Sequence, residues 1–206
     1  MNLTYNTAKE RLLTNLDESC ERFFVASGCT IEYAYSMLIK DNLKEAQTLF
    51  EEYKDTDIRA KGAVFMISLI KDELKEYATY FELRNFLEID LDILIHYCKG
   101  DYVEKIVRYA DFMYTINPEV YKFIGRVFYN NDLKEHALWF LKRAKNYFYN
   151  DPELHCLLSY IYYKEKDYKK SRQAAKECLS ILPEYFPAKN MLTKLDNIQF
   201  SKNTCF

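Results

Sequence analysis

With 206 residues, 49% of them hydrophobic, the chain can bury the core of one domain or of one continuous helical array, and a net charge of −2 lacks the concentrated cations that a nucleic-acid partner requires. Four glycines and four prolines exclude a many-turned β fold and leave helices as the building element; neither G-x-G-x-x-G nor a P-loop can be written with them. Six scattered cysteines, Cys20, Cys29, Cys98, Cys156, Cys178 and Cys205, give neither the framework of a small secreted domain nor a zinc spacing.

The first expected element is one helix over residues 7–27. Thr7 with Glu10 three residues on forms a capping-box pattern, and Gly28 ends the helix. Leu12, Leu13, Leu16, Cys20, Phe23 and Phe24 make its apolar stripe. Two roles are open to it: a cap on the first hairpin, or a docking helix for a second copy. Lys9, Glu10, Arg11, Asp17 and Glu18 interrupt any apolar core of a secretory signal. The longest apolar stretch, Ala63 to Ile70, falls far short of the roughly 20 residues that span a bilayer. A cytoplasmic protein with no membrane contact is expected.

Helices then follow near 31–40, 43–54, 58–71, 74–84, 87–98, 102–115, 119–130, 133–149, 153–164 and 168–181, with a last one near 184–199. Segments in which a polar turn runs into a helix line up five times. They begin at Asn42, Glu73, Asp101, Asp132 and Asp167, with spacings of 31, 28, 31 and 35 residues. Asn117-Pro118 and Asp151-Pro152 open helices 34 residues apart, since Asp or Asn can cap first-turn N–H groups and proline fits the first helical position. The chain therefore divides into an extra N-terminal helix (1–28), two degenerate repeats (29–85), a short repeat (86–117), two well-matched repeats (118–183), a capping helix (184–200) and a frayed tail (201–206), all in a single domain.

In the last full unit, Tyr162-Tyr163-Lys164-Glu165-Lys166-Asp167-Tyr168 is followed by the small residues Ser171 and Cys178; in the unit before it, Gly125 and Phe128 are followed by Ala137 and Ala144. This pattern resembles the tetratricopeptide repeat, a helical hairpin with an aromatic late in its first helix, a turn ending Gly-Asp-Tyr and small residues seven apart on the second helix. Lys166 replaces the usual turn glycine, His155 stands where tryptophan is common, and Ser159 where glycine is common. The resemblance implies an all-α fold, a right-handed superhelix of about five stacked hairpins with an N-terminal helix and a C-terminal cap.

The same resemblance implies that first helices line a concave groove. Its spacing selects Lys122, Arg126 and Tyr129, then Cys156, Tyr160, Tyr163 and Lys164, with Asn190 and Lys194 from the cap. Cations mixed with aromatics suit an extended or helical peptide bearing acidic and apolar side chains. A carboxylate clamp is not expected, because Cys156, Leu157 and Tyr160 occupy positions where further clamp residues belong.

No enzyme chemistry is legible. His96, His136 and His155 fall on three different hairpins, and no cofactor or metal is implied. Glu51, Glu52, Asp55 and Asp57 read as a solvated helix end. Lys142, Arg143 and Lys145 beside Trp139 and Phe140 read either as an RNA-facing patch or as the outer face of a second helix. The expected function is a non-enzymatic protein–protein interaction module: adaptor, scaffold or co-chaperone. A self-associating homodimeric subunit is the alternative, and an RNA-binding solenoid the third reading.

Overall fold

A computed structural model describes residues 3–203, with side chains described except at 80, 81 and 199–203. Its elements are α1 (Tyr5–Thr14), α2 (Glu18–Ala26), α3 (Thr30–Ile39), α4 (Leu43–Glu51), α5 (Ile58–Ile70), α6 (Tyr80–Asn85), a π-helical segment (Phe86–Asp90), α7 (Leu91–His96), α8 (Gly100–Tyr114), α9 (Val120–Asn130), α10 (Lys134–Lys145), α11 (Pro152–Lys164), α12 (Tyr168–Ile181) and α13 (Phe186–Asn203). The fold is all-helical, with no strand among the described residues. Nor is any described helix long and apolar enough to cross a membrane. The chain divides into two compact units, Met1–Met113 and Tyr114–Phe206.

One turn geometry recurs through both units. Gly28, Asp41, Asp72, Cys98, Asp132 and Lys166 all have φ between 55° and 66°. Each follows the end of α2, α3, α5, α7, α9 or α11, and the next N–H reaches back five residues to a carbonyl: Cys29 to Phe24, Asn42 to Met37, Glu73 to Ser68, Lys99 to Leu94, Leu133 to Phe128 and Asp167 to Tyr162, at 2.8–2.9 Å. This is the Schellman closure, which pairs otherwise orphaned helix-end carbonyls and favours glycine at the left-handed residue. Only the first of the six turns has glycine. Lys166→Gly removes the Cβ strain of a left-handed lysine. It is expected to stabilise the second unit by roughly 0.5–1 kcal/mol net of the greater freedom of the unfolded chain; an unchanged urea midpoint would show that the turn is unstrained.

In the first unit, the single leading helix expected over 7–27 is instead two. Thr4, not Thr7, caps α1 by accepting from the Thr7 N–H, and Asp17 starts a new helix by accepting from the Ser19 and Cys20 N–H groups. The break is held from outside: Tyr97 Oη donates to the Leu12 carbonyl at 2.7 Å and accepts from the Leu16 N–H at 3.1 Å. A contact between α1 and α7 brings the chain back on itself, which nearest-neighbour stacking of repeats does not require. The helix expected at 74–84 starts only at Tyr80, where Thr79 and Glu82 form a capping box. The segment from Glu73 to Tyr77, aligned above with helix starts, is not helical. No break separates 84 from 87, because the chain passes from α6 through the π-helical segment into α7. The core here holds Phe24, Leu38, Phe50, Met66, Ile67, Leu83, Phe86, Leu87, Leu91 and Leu94, all nearly or fully buried.

In the second unit, α9 packs on α10, α11 on α12, and α12 on α13. Small residues set the close approaches. Gly125 faces Leu141 and the Ala137 carbonyl. Ser159 and Ser171 bond reciprocally, each hydroxyl donating to the other's carbonyl at 2.8 Å, so buried hydroxyls are satisfied where alanine or glycine is usual. Asp151 caps α11 with Pro152 in its first turn, and Asp167 caps α12, as the sequence indicates. The last helix runs to Asn203, through the first residues of the expected frayed tail; residues 204–206, with Cys205, lie outside the described residues.

Candidate functional site

The second unit carries a cleft built from three elements. α9 supplies Arg126; α11 supplies Glu153, Cys156, Leu157 and Tyr160; the turn before α13 and its first turns supply Tyr185, Pro187, Asn190, Met191 and Lys194, around a cavity of about 360 Å³. The α11 contribution falls at i, i+3, i+4 and i+7, one face of a helix. The opposite face, with Leu154, Leu158 and Ile161, is buried. Helix phase alone thus turns Cys156 and Tyr160 into the cleft.

Of the residues singled out from sequence, Arg126, Cys156, Tyr160, Asn190 and Lys194 line this one cavity. Tyr129 and Lys164 border it through Tyr160: the Tyr129 ring meets the Tyr160 ring edge-on at 6.0 Å, and Lys164 Nζ lies 5.5 Å from the Tyr160 ring centroid. Two others are elsewhere. Tyr163 packs with Tyr168 against the cluster of Ala175, Met191 and Leu195. Lys122 is only 6% exposed, with Nζ at 2.8 Å from Asp151, 3.1 Å from Glu119 and 3.4 Å from Glu153. Burial by itself would lower the Lys122 pKa, but the bonds to Asp151 and Glu119 outweigh it and hold the pKa above the ordinary lysine value. Lys122 is thus committed inside the fold, since losing these carboxylates would strand a buried ammonium.

The cleft mixes one internally paired cation with one open cation. Arg126 Nη2 donates to Glu153 Oε1 at 2.5 Å, so that pair is nearly neutral outwardly. Lys194 and Asn190 are exposed, and neither has a hydrogen-bond or ion-pair partner among the described residues. Leu157, Met191, Pro187 and the rings of Tyr160 and Tyr185 form the apolar wall. Burial, then the Glu153 charge, raises the Cys156 pKa, keeping the sulfur a thiol rather than the nucleophilic thiolate. The adjacent His155 points away, with Nε2 at 2.7 Å from the Tyr149 carbonyl and Nδ1 at 3.0 Å from Glu177. Among the described residues no three His, Cys, Asp or Glu side chains gather as a metal site.

Sequence reasoning missed Glu153, Tyr185, Pro187 and Met191; Leu157 it placed in the groove only as a residue unsuited to a clamp. Glu153 was within reach, because extending the Cys156–Tyr160 spacing by helical period gives 153. Tyr185 and Pro187 lie at a turn, where no period points to a cavity.

Net charge also looks different once the units are known. Residues 1–113 hold 14 Lys+Arg and 21 Asp+Glu, net −7; residues 114–206 hold 15 and 10, net +5. The cleft therefore belongs to a basic unit that the whole-chain −2 conceals. No protein-family model matches this chain, and no curated protein matches it in sequence.

Proposed function

We propose that the protein is a non-enzymatic interaction module whose second unit holds an extended or helical peptide in the cleft of α9, α11 and α13. In this reading the pairs α9–α10 and α11–α12 are tetratricopeptide-like hairpins, stacked and capped by α13, with the first helices lining a concave face. Support comes from the small-residue approaches at Gly125 and at Ser159–Ser171, from the recurring turn and from the placement of the cleft.

The observation that carries the proposal is Lys194 and Asn190, both exposed and without a partner among the described residues, on the rim of an apolar wall of leucine, methionine, proline and tyrosine. An open ammonium beside apolar surface selects a partner by charge while burial supplies affinity. The unit's net +5 adds long-range attraction for an acidic segment. Peptides selected against the whole protein from a random display library are expected to combine Asp or Glu with a bulky apolar residue. By fluorescence anisotropy, Lys194→Glu and Tyr160→Ala are each expected to weaken the selected peptides roughly tenfold, about 1.4 kcal/mol. Selected peptides that bind both variants as tightly as the parent protein would remove the cleft from the function.

A further inference from the structure

A separate notch on α10 has the composition of a cation site. It is lined by Glu135, His136, Trp139 and Phe140 around a volume of about 390 Å³. Trp139 and Phe140 stand perpendicular, with ring centroids 4.7 Å apart at 85°, so they form two walls of a corner. The corner is held in place from behind. Phe140, 5% exposed, stacks on Phe128 at 5.5 Å and 4°, and Phe128 stacks on His136 at 5.5 Å. Trp139 stays 48% exposed, so part of its ring is open to a ligand.

Of the two rings, Trp139 already meets a cation from this chain. The Arg143 guanidinium carbon lies 4.3 Å from the Trp139 ring centroid, 5.0 Å from Tyr121 and 5.7 Å from Tyr114. Arg143 does not line the notch, so the notch presents aromatic surface that this guanidinium leaves open. Glu135 completes the corner with a carboxylate that has no ion pair or hydrogen bond among the described residues; its neighbour Lys134 is paired with Glu165 at 3.0 Å. Lys142 on the same helix is exposed and also outside the notch.

We propose that this notch binds an alkylated ammonium group, with the exposed Trp139 ring and the margin of Phe140 against its methyl groups and Glu135 supplying the counter-charge. Ring faces attract cations through their quadrupole and offer no strong acceptor. A primary ammonium or a guanidinium brings several N–H donors that hold their water more tightly than ring faces repay, with Glu135 the one carboxylate lining the notch. A quaternary ammonium carries its charge with no donor to satisfy, so it fits rings plus one carboxylate. The group can come from a free small cation or from a methylated lysine on a protein.

The chain has one tryptophan, so Trp139 emission reports the site directly in the whole protein. Choline and a short trimethyl-lysine peptide are expected to change that emission saturably. Neutral 3,3-dimethylbutan-1-ol, of the same shape as choline, is expected to bind at least tenfold more weakly, and so is the unmodified lysine peptide. Glu135→Gln, on an exposed side chain, is expected to weaken choline several-fold with an unchanged circular dichroism spectrum. In Trp139→Phe, where the optical probe is lost, broadening of the choline N-methyl proton resonance is expected to be reduced but retained. Equal half-saturation by choline and the methylated peptide assigns a free cation as ligand; tighter peptide binding assigns a protein side chain. No saturable change, equal binding of the neutral alcohol, equal binding of unmodified lysine, or indifference to Glu135→Gln would each overturn the assignment.

Discussion

Asp90→Asn is expected to match the parent protein in stability near pH 4 and to exceed it by up to ~4 kcal/mol above pH 7. Asp90 is fully buried on the helix formed by α6, the π-helical segment and α7. Tyr35 Oη donates to Asp90 Oδ1 at 2.6 Å, while Oδ2 has no hydrogen-bond partner. Burial pushes the carboxyl up to about 7 from its ordinary 3.8, with the Tyr35 bond pulling the other way. Desolvation wins because a charge in an apolar surround loses more hydration than one hydroxyl restores.

The sign follows from proton counting. Below pH 3.8 both folded and unfolded chains hold the Asp90 proton, so stability does not depend on it. Between about 4 and 7 the unfolded chain releases the proton and the folded chain keeps it, so stability falls as pH rises. Above 7 the penalty is complete. Asparagine keeps an acceptor for Tyr35, places a donor where the protonated Oδ2 had one, and never ionises. Urea denaturation followed by circular dichroism at pH 4, 6 and 8 measures the difference. If the variant and parent curves stay parallel across that range, Asp90 is not carrying a buried proton.

The second large effect is a coupling at Gly125. A Cβ there would lie 2.6 Å from Leu141 Cγ, 2.8 Å from its Cδ2 and 3.3 Å from the Ala137 carbonyl oxygen. Leu141 is fully buried and has little room to yield, so overpacking costs about 1–3 kcal/mol, against about 1 kcal/mol gained in helix propensity. Leu141→Ala is expected to cost about 2–5 kcal/mol through lost burial and a cavity. The two together should cost less than their sum by about 0.5–3 kcal/mol, because the new methyl enters the space that Leu141 vacates. Trp139 fluorescence, from the same helix as Leu141, follows the transition. A Gly125→Ala protein more stable than the parent would show that α9 and α10 are not locked at this distance.

Some of this was open to reading and some was not, and particular residues show the division. Asp151-Pro152, Asp167 and Asn42 cap helices because capping is a local exchange between a side chain and N–H groups two or three residues on. The α11 face with Cys156 and Tyr160 was legible for the same reason, since helical period fixes which residues share a side. Asp90 carries a signal too, as an acid on the stripe of Leu83, Leu87 and Leu94, at a position the repeat pattern does not mark. The first unit is the least legible in the sequence. Its helix break at residues 15–17 is fixed by Tyr97, more than 80 residues away.

The sequence by itself determined the helical class, most helix starts, the place of most turns and the register of the α11 face. All of these rest on interactions within about one helical turn. Only the tertiary structure decided that Lys122 is sealed among carboxylates from 29 and 31 residues away, that Arg126 is tied to Glu153, that Lys194 stays open, and that Trp139 and Phe140 meet Glu135 at a corner. Those outcomes depend on which charges lose water together, and that is set by helices meeting across the fold.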